Sequence, residues 1–301
     1  MLIKYLLFFL LIFLAIEIYY DYIFKQTLVK DFPKNILPPL DESIKLPNIE
    51  KSKIIPKKIY RTYYDLELAK KFNKANQMTK INNEELNEII FDDIMIEEYI
   101  KNNYSNRIYK AYKSIDNDYG PAKADFFRYL IIYKEGGIYL DIKSVIIKNI
   151  DEELKESKLI VSKGRYNPYP IHYGLLFQYL NKYNWSYFSG VEKYGEYNNW
   201  HIISPKGNEI LGKVIKQTVS NIEYGLKNKD KYTNGEYSVL ALTGPIMFSR
   251  VIDKYKNKEN ILIKNTNLNG KVKYSLYDID HKNIGYKKHY SKLENKKILI
   301  N

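Results

Sequence analysis

The chain is 301 residues long, 45% hydrophobic, carries a formal net charge of +13 and contains no cysteine. The missing cysteine excludes a thiol nucleophile, a disulfide and any cysteine-ligated zinc or iron site. Only five of the 48 basic residues are arginine (Arg61, Arg107, Arg128, Arg165, Arg250), and lysines run along the whole chain, the pattern of a solvated surface rather than a nucleic-acid-binding stripe.

At the N-terminus an apolar run from Tyr5 to Ile16 is interrupted by Glu17 and resumes over Ile18-Tyr19-Tyr20. Counted across Glu17 it is near the lower limit for spanning a bilayer, while the uninterrupted part has the length of a signal-peptide core. Cleavage needs small residues just beyond that core and only Ala15 is available, so the expectation is an uncleaved membrane anchor over residues 1–24. Residues 25–56, with Pro33, Pro38, Pro39, Pro47 and Pro56, have the composition of an extended stalk. Residues 57–301 are the right length for one domain with a substantial core.

Within that domain, strands are expected over Lys58–Tyr63 and Glu88–Asp92, and helices over Leu66–Asn76, Met95–Asn102 and Pro121–Glu135. Further strands are expected over Lys158–Ser162 and Trp200–Ser204, with a helix over Asn208–Glu223. This alternation predicts an α/β fold with helices on both faces of a sheet. The four histidines, His172, His201, His281 and His289, lie in no metal-ligand spacing and read as surface or core-edge residues.

The densest signal lies between Ala122 and Asp141. Phe126, Phe127, Leu130, Ile131 and Tyr133 recur at intervals of three and four, the mark of a helix with one face on a core. Pro121 suits its first turn and Gly136-Gly137 its end. Ile138-Tyr139-Leu140 then reads as a buried strand with Asp141 at its carboxyl end, where open α/β sheets collect ligands. Asp125 and Arg128, three apart, leave the same helix face. Taken alone they read as an intrahelical ion pair worth about 0.2–0.5 kcal/mol, and the attached Gly-Gly turn and acid-tipped strand turn that reading towards a ligand site.

This segment resembles glycosyltransferase family 32, whose core combines an Asp-x-x-Arg-Tyr helix with a Gly-Gly-hydrophobic-Tyr-hydrophobic-Asp strand; the clostridial glucosylating toxins are more distantly similar. Upstream, Ile55-Pro56-Lys57-Lys58-Ile59-Tyr60-Arg61-Thr62-Tyr63 is similar to the family's first strand, with Tyr60, Arg61 and Tyr63 standing where it has histidine, glutamine and tryptophan. Asn198-Asn199-Trp200-His201 through Asn208, and Leu242-Thr243-Gly244-Pro245, are similar to later family segments. The resemblance implies a single Rossmann-like nucleotide-sugar-binding domain of fold type A, here behind an N-terminal transmembrane helix. It further implies retaining transfer of a hexose from a nucleotide diphosphate sugar to a glycan, glycoprotein or glycolipid acceptor, on the lumenal side of a membrane. The sequons at Asn103 and Asn184 are compatible with that side.

By the same resemblance the donor-binding residues are Asp125, Arg128, Tyr139, Asp141, Lys143 and Tyr63, with Tyr63 near the base and Asp141 at the ribose or a cation. The family places a second carboxylate two residues after the first, so that both face a divalent cation. Here that position is Lys143. Three readings stay open: Lys143 supplies the charge itself; Mn²⁺ or Mg²⁺ still binds through Asp141 and acids elsewhere, such as Asp278 and Asp280; or the chain binds nucleotide sugars without catalysing their transfer. His289 stands near the family's C-terminal histidine but lacks its tryptophan neighbour. Nucleic acid is not an expected partner.

Overall fold

The computed structural model describes residues 38–164, 197–228, 236–276, 293 and 296–300. The elements are β1 (Lys58–Thr62), α1 (Asn73–Ile81), β2 (Asn87–Phe91), α2 (Asp93–Asn103), α3 (Asn106–Lys113), α4 (Gly120–Glu135), β3 (Gly137–Leu140) and β4 (Val145–Ile146). After these come β5 (Leu159–Ser162), β6 (His201–Ser204), α5 (Glu209–Lys227), α6 (Glu236–Leu242), α7 (Pro245–Tyr255), β7 (Ile261–Lys264) and β8 (Val272–Lys273). Leu66–Ala69 is a helical turn, capped by the Asp65 carboxylate accepting from the Leu68 amide, that leads through a tighter turn into α1. The expected helix from Leu66 is therefore broken once and ends later.

The fold is mixed α/β around a six-stranded sheet of order β2-β1-β3-β6-β5-β7. β1 runs parallel to β2 and β3, β6 is antiparallel to β3 and β5, and β7 is parallel to β5. Side chains alternate across the sheet with the period of two that a pleat imposes. Tyr60, Tyr139, Val161 and Ile202 face one core with α2, α3, α4, α5 and α7, whereas Ile59, Ile138, Leu140, Ile160 and Ile203 face another. That second core is closed by Ile146, Ile150, Leu154, Leu268 and Val272, from the β4–β8 pair, a one-turn helix and a left-handed turn. Helices thus lie on both sides: α2, α3, α4, α5 and α7 on the first face, and α1 on the second with the short elements, its Thr79 Oγ1 accepting from the Ile146 amide (3.2 Å).

The central helix α4 is also more enclosed than a one-faced amphipathic helix. Phe126, Phe127, Leu130 and Ile131 are fully buried, and Asp125 and Arg128 are nearly so. A helix apolar nearly all round is a buried helix, and each large apolar side chain removed from water contributes about 1.5–3 kcal/mol. Those anchors carry Asp125 and Arg128 into the interior. Gly136 ends α4 at φ 66°, and Gly137 opens β3 at φ 99°, where a Cβ would stand 2.7 Å from the Lys58 carbonyl oxygen. Glycine is required there by both conformation and space, which fixes the short passage from helix to strand.

The expected stalk runs without regular secondary structure from Pro38 to Pro56, yet it packs on the domain. Ile44 is buried in the helical core and Ile55 in the opposite one. The Asp41 amide donates to Ser220 Oγ (3.0 Å), Gln217 donates to the Pro38 carbonyl (2.9 Å), and Arg107 joins Asp41 to Glu223. Among the described residues no helix is long and apolar enough to cross a membrane. The expected anchor over residues 1–24 lies outside the described residues.

Candidate functional site

The site forms where α4, β3 and the end of β6 meet. The Asp141 amide donates to the Trp200 carbonyl (2.9 Å), extending the β3–β6 ladder one residue and fixing where its side chain emerges. Arg128 bridges two acids: Nη2 lies 2.9 Å from Asp125 Oδ1 and 3.2 Å from Asp141 Oδ1. Its Nη1 donates to the Asn199 carbonyl (2.8 Å), and its guanidinium lies 4.5 Å over the buried Tyr139 ring. The intrahelical pair anticipated from the i,i+3 spacing is present, and it continues to the strand-end acid. Asp141 is the accessible member, at 22% side-chain exposure against 6% for Arg128 and 9% for Asp125.

Further hydrogen bonds hold Asp125 from behind. Asn199 Nδ2 donates to Asp125 Oδ1 (3.0 Å) and to the Tyr129 hydroxyl (3.1 Å), and Tyr129 donates to the Thr243 carbonyl (2.8 Å). Gly244 lets the chain pass close to this carboxylate, since a Cβ there would lie 3.2 Å from Asp125 Oδ2. Burial pushes the Asp125 carboxyl up to about 7, with Arg128 opposing and the Asp141 charge adding to the rise. Burial works against the Arg128 charge as well, but Asp125, Tyr139 and Asp141 outweigh it and keep the guanidinium protonated.

A carboxyl whose pKa is raised on folding contributes stability that is complete below its unfolded value of 3.8 and is lost as pH rises through about 7. The melting-temperature difference between wild type and Asp125→Asn should therefore move against wild type across that window. A difference independent of pH in thermal melts would show that Asp125 does not titrate there.

Arg61 supports the site from beneath. Its side chain is 1% exposed, pairs through Nε with Glu88, and donates from Nη1 to the carbonyls of Asp141 (2.8 Å) and Ser144 (2.8 Å). The turn after β3 is thus held by its backbone, leaving the Asp141 and Lys143 side chains to the surface. Lys143 Nζ lies 4.6 Å from the centroid of the Tyr274 ring. Tyr139 is buried and bonded to Thr62 Oγ1 (3.0 Å), with the Arg128 guanidinium over its ring. Tyr63 belongs to a different aromatic group, 4.8 Å from Tyr64 and 5.2 Å from Phe72.

Asp125, Arg128, Tyr139 and Asp141 are therefore brought into one cluster, with Lys143 on the same turn as Asp141. Asn199, Tyr129, Thr243 and Tyr274 complete it without having been singled out as site residues; Asn199 and Thr243 lie in segments noted only for family resemblance. His201 is a core histidine, its Nε2 2.8 Å from Ser162 Oγ and its pKa driven down to about 3 by burial. The other three histidines, Asp278 and Asp280 lie outside the described residues.

Among the described residues the donor set does not fit a divalent cation. Among the described residues no three acids or histidines converge on one point. Asp141 is already engaged by a guanidinium, and an ammonium occupies the position of the second carboxylate, whereas Mg²⁺ and Mn²⁺ take oxygen ligands.

A family model described as "Glycosyltransferase sugar-binding region containing DXD motif" matches residues 69–160. The initiation-specific alpha-1,6-mannosyltransferase of Candida albicans is 27% identical over 223 residues, covering 71% of this chain and 56% of that protein. The protein of the same name from Schizosaccharomyces pombe is 23% identical over 212 residues, covering 67% and 49%. The chain spans about half the length of these curated relatives. Among solved structures, the PaToxG glycosyltransferase is 18% identical with a TM-score of 0.43, over 68% of this chain and 70% of that one. The residues that this model matches, 69–160, hold the Asp125–Arg128–Asp141 bridge and the helix–Gly-Gly–strand segment that resembles glycosyltransferase family 32.

Proposed function

We propose that this protein moves a hexose from a nucleotide diphosphate sugar to a glycan, glycoprotein or glycolipid acceptor, with retention of configuration. The observation that carries the reading is the Arg128 bridge between Asp125 and Asp141, inside the segment that matches the sugar-binding-region model and at the carboxyl end of a central strand. The two fungal relatives are mannosyltransferases by name, which supports a hexosyl donor.

The chemistry follows from where charge develops. As the bond between the anomeric carbon and the diphosphate breaks, the leaving oxygen becomes negative and the sugar ring positive, so a transferase site must present both signs. Asp141 meets the donor at the open edge of the cluster, at its ribose or sugar. Arg128 and Asp125 form the inner wall and orient the sugar hydroxyls, with Tyr139 bracing Arg128 and Asn199 bracing Asp125. Tyr63, at the end of β1, takes the base. Mn²⁺ or Mg²⁺, expected from the family, is not part of this reading, because the described donor set does not suit it.

The proposed organisation is the single Rossmann-like domain of fold type A, which includes Pro38, whose carbonyl accepts from Gln217 on α5, with a membrane anchor in residues 1–24 and the domain on the lumenal side. A second reading, a nucleotide-sugar binder without transfer, is favoured by one observation: Lys143 at the second acidic position.

Incubating the full chain with a panel of nucleotide sugars and following release of the nucleoside diphosphate tests the proposal. Release from one donor is expected, falling by about 100-fold or more in Asp141→Ala. The melting temperature should change little, because Asp141 is partly exposed and supports little of the core. Full turnover by the variant would remove Asp141 from the site, and donors that bind without release would identify the binder.

A further inference from the structure

The turn that follows β3 carries its charges in an arrangement that the family pattern does not contain. Replacing a carboxylate by an ammonium at position 143 shifts the local charge from negative to positive, a change equal in size and sign to adding one divalent cation. The described site is then balanced without a metal: Arg128 faces Asp125 and Asp141, and Lys143 adds a cation two residues beyond Asp141.

Lys143 is also held in place. Its ammonium lies over the Tyr274 ring, and its carbonyl accepts from the Leu276 amide (3.1 Å). Ser144 Oγ donates to the Tyr274 carbonyl, and the Tyr274 ring meets Trp200 edge-on at 5.2 Å. Trp200 in turn supplies the carbonyl that fixes Asp141. One continuous set of contacts therefore keeps the Lys143 ammonium and the Asp141 carboxylate on a common rim, and neither Lys143 nor Asp141 is buried. An ammonium on an aromatic face keeps most of its hydrogen-bonding capacity, and lysine serves phosphate as a point charge with three donors.

We infer that Lys143, seated on Tyr274, holds the diphosphate of the donor in place of a metal ion, and that this protein binds nucleoside diphosphates without a divalent cation. The inference rests on the proposed transferase reading and names the group that takes the leaving-group charge. Tyr274 is a positioning residue: it touches the ammonium and sets its location on the rim.

The test is calorimetric titration of the full chain with UDP, GDP, ADP and CDP, in EDTA and in millimolar Mn²⁺. For the nucleotide that binds, affinity should agree within about twofold between the two conditions. Lys143→Ala should weaken it by about tenfold or more in both, the loss expected for one charged hydrogen-bond donor. Lys143→Asp, which restores the family's second acid, should bind poorly in EDTA and regain affinity with Mn²⁺. Tyr274→Leu should lose affinity by a factor intermediate between wild type and Lys143→Ala. Wild-type binding that is tenfold weaker in EDTA than in Mn²⁺, or Lys143→Ala binding equal to wild type, would overturn this inference alone. Absence of binding to all four nucleotides in both conditions would overturn it together with the transferase reading.

Discussion

Arg128→Met should abolish nucleoside diphosphate release and lower folding stability by about 3–5 kcal/mol, the cost of removing one partner from a buried ionic cluster. The guanidinium neutralises Asp125 and Asp141 and satisfies the Asn199 carbonyl. Methionine would fill much of the space over the Tyr139 ring but leave an acid inside α4 with no cation and a carbonyl with no donor. Asp125, already pushed up to about 7 by burial, would become harder still to ionise. The deficit should accordingly be larger at pH 8 than at pH 5, where the carboxyl takes up its proton. In Asp125→Asn/Arg128→Met the buried charge is gone, so stability should recover in part while activity stays lost. Arg128→Lys is not a conservative control, because a point cation cannot span both carboxylates and cover the ring. Urea unfolding of the single variant within about 0.5 kcal/mol of wild type would show that the bridge contributes nothing to the fold.

What the sequence revealed of the site follows from how far each contact reaches along the chain. Asp125, Arg128 and Asp141 are visible because helix periodicity, a glycine stop and a strand end fix their relations within twenty residues. The residues that brace them come from far away: Asn199 reaches Asp125 across 74 positions, and Tyr274 meets Ser144 across 130. No spacing rule marks such partners. The same holds for the N-terminal segment, whose prolines signal irregular backbone correctly but conceal that Asp41 bonds Ser220 from 179 positions away.

The fold divides along similar lines. β1, β2, β5, β6 and the core of α5 follow from hydrophobic runs and flanking turn residues. α3 and β7 do not, because eight residues and four residues respectively, both mixed with lysine, give periodicity too little length to act on. The helix over α7 is suggested only by Thr243-Gly244-Pro245, and α6 before it by nothing. The closing of the second sheet face by β4, β8 and a left-handed turn is a property of tertiary packing, since two-residue strands have no sequence signature.

Arg61 gives the other large expected effect, and it turns on a departure from the family pattern. Glutamine stands at this position in the resembling sequences, so Arg61→Gln looks mild; it should instead cost about 3–5 kcal/mol and most of the activity. Glu88, 6% exposed at its side chain, pairs with Arg61, and glutamine would leave that carboxylate buried without a cation. An amide has only one NH₂ group to offer, where the guanidinium serves Glu88 and the carbonyls of Asp141, Ile142 and Ser144 together. The turn bearing Asp141 and Lys143 would lose its floor, and misplacement of a positioned group by about 1 Å can reduce rate about 100-fold. If the buried Glu88 charge is the main cost, Arg61→Gln/Glu88→Gln should regain most of the stability, since the pair would then be neutral. If the carbonyl contacts dominate, the double variant should remain as impaired as the single one. Denaturation midpoints of the two singles and the double, read as a double-mutant cycle, separate the two contributions, and the accompanying turnover numbers show whether the charge at position 61 or the geometry of the turn sustains transfer.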